Sequence, residues 1–170
     1  MIKKVFLFAA FLSICALTTN AQRIAVVDIN KVLESMTDYR KAQDELDKQA
    51  ATWRNQIATQ YDEIKSMYNK YQAEQVLLSD DVRTQREEEI MNKETEVRAL
   101  QKDKFGPEGA LFRKRQELVN PIQQKVYAAV EEYANDRGYD FIFDLAGSAG
   151  ILFSKDEYNK TDDVLKRLRN

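Results

Sequence analysis

The sequence predicts an α+β chain, mostly α, in which a long coiled-coil-like helical hairpin projects from a small strand-bearing body. Three observations predict it. Residues 30–105 contain neither glycine nor proline, and all five glycines and both prolines lie at or beyond Gly106. The strongest punctuators of local structure are therefore missing where a helix would run. Apolar residues from Leu46 onward follow a heptad seam that stops at Leu78. Short β-branched and aromatic runs occur outside that stretch, at 23–29, 139–145 and 151–153.

Taken in order, the chain opens with Lys3 and Lys4, an apolar run from Val5 to Leu17, and Thr18-Thr19-Asn20-Ala21. This is the pattern of a signal peptide over residues 1–21, with Thr19 and Ala21 at the two positions a signal peptidase reads. The run is shorter than the roughly 20 apolar residues a membrane span needs. Bulky Ile14 before Cys15 argues against a lipid-modified cysteine. The expected product is an exported soluble protein starting at Gln22. It has lost its one cysteine and has no histidine. Disulfides, Cys/His zinc sites and Cys–His or Ser–His nucleophile pairs are thereby excluded. Lys3 and Lys4 leave with the leader, so 26 basic and 28 acidic residues become 24 against 28, a net of −4. That balance gives nucleic acid no electrostatic hold.

Arg23-Ile24-Ala25-Val26-Val27-Asp28-Ile29 reads as a buried strand. Asp28 or Asn30 then caps a helix beginning near Lys31. Leu46, Trp53 and Met67 lie on one seven-residue series, and Ala50, Ile57, Ile64, Tyr71 and Leu78 on a second offset by four. Continuing the phase meets Asp81, Gln85, Glu88, Asn92, Thr95 and Ala99, so the seam ends. Ser79-Asp80-Asp81 supplies an N-cap and first-turn acids, which marks a reversal at Leu78–Asp81 and a second helix. Tyr39–Leu78 and Asp81–Asn120 are equal in length, and each arm would reach roughly 60 Å. The returning helix carries only Val82, Ile90, Val97 and Leu100 among many charges, which form a solvated face. Phe105-Gly106-Pro107-Glu108-Gly109 interrupts it. Because Phe105, Phe112, Val119, Val126 and Tyr133 keep one seven-residue phase, the expectation is a kinked helix. Pro121 predicts a second kink, or a helix start capped by Asn120. Gly138 stops the helix. Tyr139–Leu145 alternates as a strand, Ala146–Gly150 reads as a small-residue loop leading to a third strand, Ile151–Phe153, in a hairpin with it, and Thr161-Asp162-Asp163 caps a last helix containing Val164, Leu165 and Leu168. Three short strands make a poor sheet alone, and other copies of the chain would bury their edges.

Two constellations remain. Asp140 with Asp144, or Asp162 with Asp163, could form acid/base or metal pairs, but no histidine, phosphate loop or nucleophile motif accompanies them. They read as strand polarity and helix caps, so the chain is not expected to be an enzyme and no cofactor or metal site is expected. The cluster Tyr61, Met67, Tyr68, Tyr71, Val76, Leu77 and Leu78 is too wide for one seam. It is either hairpin core or a surface for nonpolar segments of a partner. Tyr71 and Leu78 lie on the core phase, whereas Tyr68, Val76 and Leu77 lie off it.

The signal peptide, the opening strand, the charged hairpin, Lys114-Arg115-Gln116-Glu117-Leu118-Val119-Asn120-Pro121-Ile122, the strand after Gly138 and the closing Thr161-Asp162-Asp163-Val164-Leu165-Lys166 together resemble the Skp/OmpH family of periplasmic chaperones. The resemblance covers the whole mature chain. It implies a homotrimer, with a body from residues 22–38 and 121–170 and hairpin arms from residues 39–120. It further implies an ATP-independent holdase that keeps unfolded outer-membrane proteins in a cavity between the arms. The best-known members are basic, whereas this mature chain is acidic. Arg83 and Arg86 do not make the basic cluster that a lipopolysaccharide site would need, which leaves peripheral contact with membrane or lipopolysaccharide open. A periplasmic coiled-coil spacer or adaptor is the alternative from another class.

Overall fold

In the structure, a computed structural model, residues 22–147 and 150–169 are described. The expected signal peptide lies outside them. The chain divides into two units, one formed by the described part of Met1–Val32 with Tyr127–Asn170, the other by Leu33–Val126.

The first unit holds a two-stranded sheet. Strand β1 (Ile24–Val27) pairs in parallel with β2 (Phe141–Asp144), in the register Ile24 with Phe141 through Val27 with Asp144. Parallel neighbours need a crossover, and here everything between them in sequence is that crossover. Ala25, Val26 and Val27 are buried, as the β-branched run predicts. Phe141 and Phe143 share the opposite situation: their rings stack at 6.2 Å on an exposed face. The expected third strand is not formed. Ile151–Phe153 carries no ladder, and Leu152 is fully exposed. The free edge of β1 is engaged by a later segment instead: Val26 bridges Asn159, and the Lys160 N–H donates to the Val26 carbonyl at 2.9 Å, while the outer edge of β2 takes no strand among the described residues. Helix α1 (Ile29–Ser35) starts where Asp28 Oδ1 accepts the Lys31 N–H at 2.9 Å, the predicted cap.

The second unit is a helical hairpin. Helix α2 (Thr37–Glu74) ends in a 3₁₀ turn over Gln75–Leu77, and α3 (Asp80–Phe105) returns behind Ser79 with Asp80 and Asp81 in its first turn. Acids there face the positive end of the helix dipole. The reversal therefore sits where the seam stops. One break was not foreseen. Met36 is extended and separates α1 from α2, although neither glycine nor proline is near. The Met36 N–H closes on the Leu33 carbonyl at 2.9 Å, which ends α1 in a tight last turn.

At Gly106–Gly109 the chain leaves helical geometry altogether, and α4 (Ala110–Arg137) is a separate helix rather than the kinked continuation expected. Pro107 cannot donate to a helix ladder, and Glu108 adopts a left-handed φ of 60°. The seven-residue phase nevertheless survives the break: Val119, Val126 and Tyr133 are buried as expected, and Phe112 alone departs from it. Phe112 is exposed, and Leu111 takes its expected place by packing with Ala42, Leu46 and Val119. Pro121 lies inside α4 and starts no helix, because Leu118, Val119 and Ile122 are all held in that same cluster. Helix α5 (Thr161–Arg169) closes the chain, with Val164 buried.

Candidate functional site

The hairpin seam is closed by Ile57 and Ile64 of α2 against Ile90 and Val97 of α3, with Met67, Tyr71, Leu100 and Phe105 packed around them. Seven-residue spacing on each helix puts each pair on one stripe, which is why two helices so rich in charge still adhere. Cross-hairpin polar contacts fix the antiparallel register. The Tyr61 hydroxyl donates to Gln101 Oε1 at 3.3 Å, Lys93 lies 3.5 Å from Glu63, and the Tyr71 hydroxyl donates to Glu87. The Glu87 hydrogen bond, followed by burial, raises the Tyr71 phenol pKa. Exposed ion pairs of this kind add little stability each, typically about 0.2–1 kcal/mol, so the apolar stripe carries the adhesion.

The seven predicted site residues fall into two sets. Met67, Tyr71 and Leu78 turn inward: all three line a small cavity of about 170 Å³ with Ile90, Arg86 and Glu89. Tyr61, Tyr68, Val76 and Leu77 remain outside. Tyr68 is 50% exposed, and Val76 and Leu77 are each 84% exposed on the 3₁₀ turn that closes the hairpin. A three-residue turn cannot point every side chain inward. Leu78 takes the inward position, and Val76 and Leu77 are left in solvent.

Sequence reasoning missed a second surface on the same unit. A groove of about 370 Å³ is lined by Arg54, Ile57, Ala58, Tyr61, Gln101 and Phe105. Trp53 meets Phe105 edge to face at 6.3 Å, the Arg54 guanidinium lies 5.9 Å from the Phe105 ring centre, and Lys104 Nζ lies 5.4 Å from that of Trp53. Cations over aromatic faces stiffen such a wall. The signal was available, since Trp53 and Phe105 each occupied seam positions, but nothing in the spacing pairs them across the reversal. Met91, 58% exposed on α3, was missed as well because it follows a seam residue directly.

The carboxylate pairs are engaged in structural bonds. Asp140 Oδ2 accepts the Arg23 N–H at 2.7 Å, and Asp144 Oδ1 accepts those of Ile29 and Ala146 at 3.2 and 3.0 Å. Asp162 pairs with Lys31 at 3.2 Å, and Asp163 accepts the Tyr133 hydroxyl at 3.1 Å. Burial, then that hydrogen bond, pushes the Tyr133 phenol up to about 12. Among the described residues no three His, Cys, Asp or Glu side chains converge as a cation site, and no helix is long and apolar enough to cross a membrane.

Against known proteins, the description "Outer membrane protein (OmpH-like)" matches residues 23–168. No curated protein matches. Among solved structures, a chain described as a candidate outer membrane chaperone (OmpH-like) from Caulobacter crescentus CB15 superposes with a TM-score of 0.69 at 9% identity, covering 86% of this chain and 83% of that one. At that identity the likeness is one of fold.

Proposed function

We propose, starting from the fact that this chain belongs to the outer membrane protein (OmpH-like) family, that it is an ATP-independent periplasmic holdase for unfolded outer-membrane β-barrel proteins. The observation that carries the reading is the solvent-facing apolar surface at Tyr68, Val76 and Leu77 on a hairpin whose own seam is already closed. Surface of this kind, unneeded for packing, suits weak contact with exposed nonpolar segments. Residues 39–120 act as the binding arm; residues 22–38 and 121–170 form the body, after export has removed residues 1–21.

The body assembles as a homotrimer. Support comes from a two-stranded sheet whose β2 outer edge pairs with no strand among the described residues, and whose Ile24, Phe141 and Phe143 are exposed. Two strands alone are marginal, and unpaired edges invite a second copy. Three arms binding weakly to one client give avidity without a single tight site.

Suppression of aggregation of an unfolded β-barrel protein on dilution from denaturant is the direct assay. Client kept soluble at one trimer per client is the expected result; unchanged light scattering at that ratio refutes the function. A fixed spacer or adaptor, the reading suggested by the charged outer face of α3, would form a stable complex with one folded partner and leave the scattering unchanged.

A further inference from the structure

We propose that Gln22, once leader removal makes it N-terminal, cyclises to pyroglutamate; the inference rests on the export reading above. Gln22 directly follows the Thr19–Ala21 cleavage pattern. It is exposed and precedes β1 without belonging to it. The chain becomes fixed only at the next residue. The Arg23 N–H donates to Asp140 Oδ2 at 2.7 Å, its guanidinium donates to the Arg137 carbonyl at 2.5 Å, and the same group lies 5.0 Å from the Tyr139 ring centre. Gln22 thus lies just outside the first fixed residue of the chain and is itself exposed.

The chemistry is self-contained. The neutral α-amine attacks Cδ of its own carboxamide, a C–N bond forms in a five-membered lactam, and the C–NH₂ bond breaks with release of ammonia, which takes up the amine's proton. An α-amine has a pKa of about 7.7–8.0, so roughly a tenth or more is neutral near pH 7. No redox partner or second substrate is needed.

Position gives the step a consequence. Gln22 lines a largely apolar groove of about 490 Å³ with Ile24, Phe143, Ile151, Phe153 and Tyr158, whose one cation, Lys155, pairs with Glu157 at 3.5 Å. An α-ammonium at that rim would have to be desolvated whenever the apolar wall is covered, and burying an unpaired charge is expensive. Cyclisation replaces it with a neutral amide, and also removes the amine that aminopeptidases require.

The test is the intact mass of the full chain, expressed with its own leader and recovered from the periplasm of a Gram-negative host. The expected species is residues 22–170, lighter by about 17 Da for the lost ammonia. N-terminal sequencing should be blocked until pyroglutamyl aminopeptidase is added. Gln22→Asn, whose ring would be four-membered, should keep a free amine and the uncyclised mass. A product of residues 22–170 that keeps its full mass on prolonged incubation at mildly alkaline pH overturns the proposal while leaving export intact. A periplasmic chain that begins at another residue differs by whole residues and overturns the proposal with export intact, whereas a chain that keeps residues 1–21 and stays in the cytoplasm overturns the export reading.

Discussion

Replacing Tyr68, Val76 and Leu77 together with serine separates binding from folding. Val76 and Leu77 are each 84% exposed, and Tyr68 is 50% exposed, so none contributes much to the hairpin's own core. Substitutions at such positions usually change stability by less than about 0.5 kcal/mol. The possible contribution to a client is larger. Fully burying a Val or Leu side chain is worth about 1.5–3 kcal/mol, so covering roughly half of what these residues expose gives on the order of 2 kcal/mol per arm. That corresponds to a Kd about 30-fold weaker for each arm. The assay pairs titration of fluorescently labelled unfolded β-barrel protein with thermal melts followed by circular dichroism. The reasoning stands if affinity falls by at least that order while the melt is unmoved. Affinity preserved within about twofold, with the helices intact, refutes it. So does a melt that collapses, since these side chains would then be structural.

Three further outcomes are expected. Val97, fully buried between Ile57, Ile64 and Ile90, should cost about 2–3 kcal/mol when changed to alanine, read from urea melts of the hairpin signal. Gly106→Ala should destabilise by about 1–3 kcal/mol in the same experiment, because a Cβ there would collide with the Lys102 carbonyl oxygen, a backbone atom that cannot swing aside. Tyr133 gives a pH dependence. Its folded pKa of about 12 exceeds the unfolded value near 10, so its stabilisation is full below about pH 10 and is lost as pH climbs through the folded value. The loss is on the order of 2 kcal/mol. Tyr133→Phe should flatten this alkaline decline relative to the parent when denaturant melts at pH 8 and pH 11 are compared.

The hairpin was legible because its determinants are local and periodic. Ile57, Ile64 and Tyr71 repeat by seven, Ser79 precedes α3 with Asp80 and Asp81 in its first turn, and both signals point to the same reversal. The break at Met36 was not legible, because it needs no glycine or proline: Leu33 and Met36 close a turn through backbone groups that every residue carries. The missing third strand has a similar cause. Ile151–Phe153 has strand composition, but composition does not choose a partner: Asn159 takes the free edge of β1, and Ile151–Phe153 joins neither that edge nor the open one of β2. Phe112 misled because Leu111, its neighbour in the first turn of α4, is the side chain that packs with Ala42, Leu46 and Val119, although the same seven-residue count holds for Val119, Val126 and Tyr133. Of the seven site residues, heptad phase correctly sorted Tyr71 and Leu78 inward and Tyr68, Val76 and Leu77 outward. The Trp53–Phe105 wall depends on two residues far apart in sequence, which periodicity within one helix cannot join.

The parallel pairing of β1 with β2 orders events in time. Arg23 and Asp140, which lie at the mouth of that pairing, are 117 residues apart, so a chain emerging from its N-terminus carries β1 long before its partner exists. The hairpin has no such wait, since its two legs are neighbours in sequence and its contacts are mostly local. Once it has zipped and α4 has packed back on α2, Tyr39 and Ile122 share one cluster, and the loop that remains to be closed shrinks to roughly 30 residues. Loop closure grows as the logarithm of length, so this saves about 1 kcal/mol, or some fivefold in the chance of the strands meeting. Rapid arm formation followed by slow strand closure is the kinetic signature this topology imposes. An exported chain would thus display its apolar tip before it has finished building the sheet.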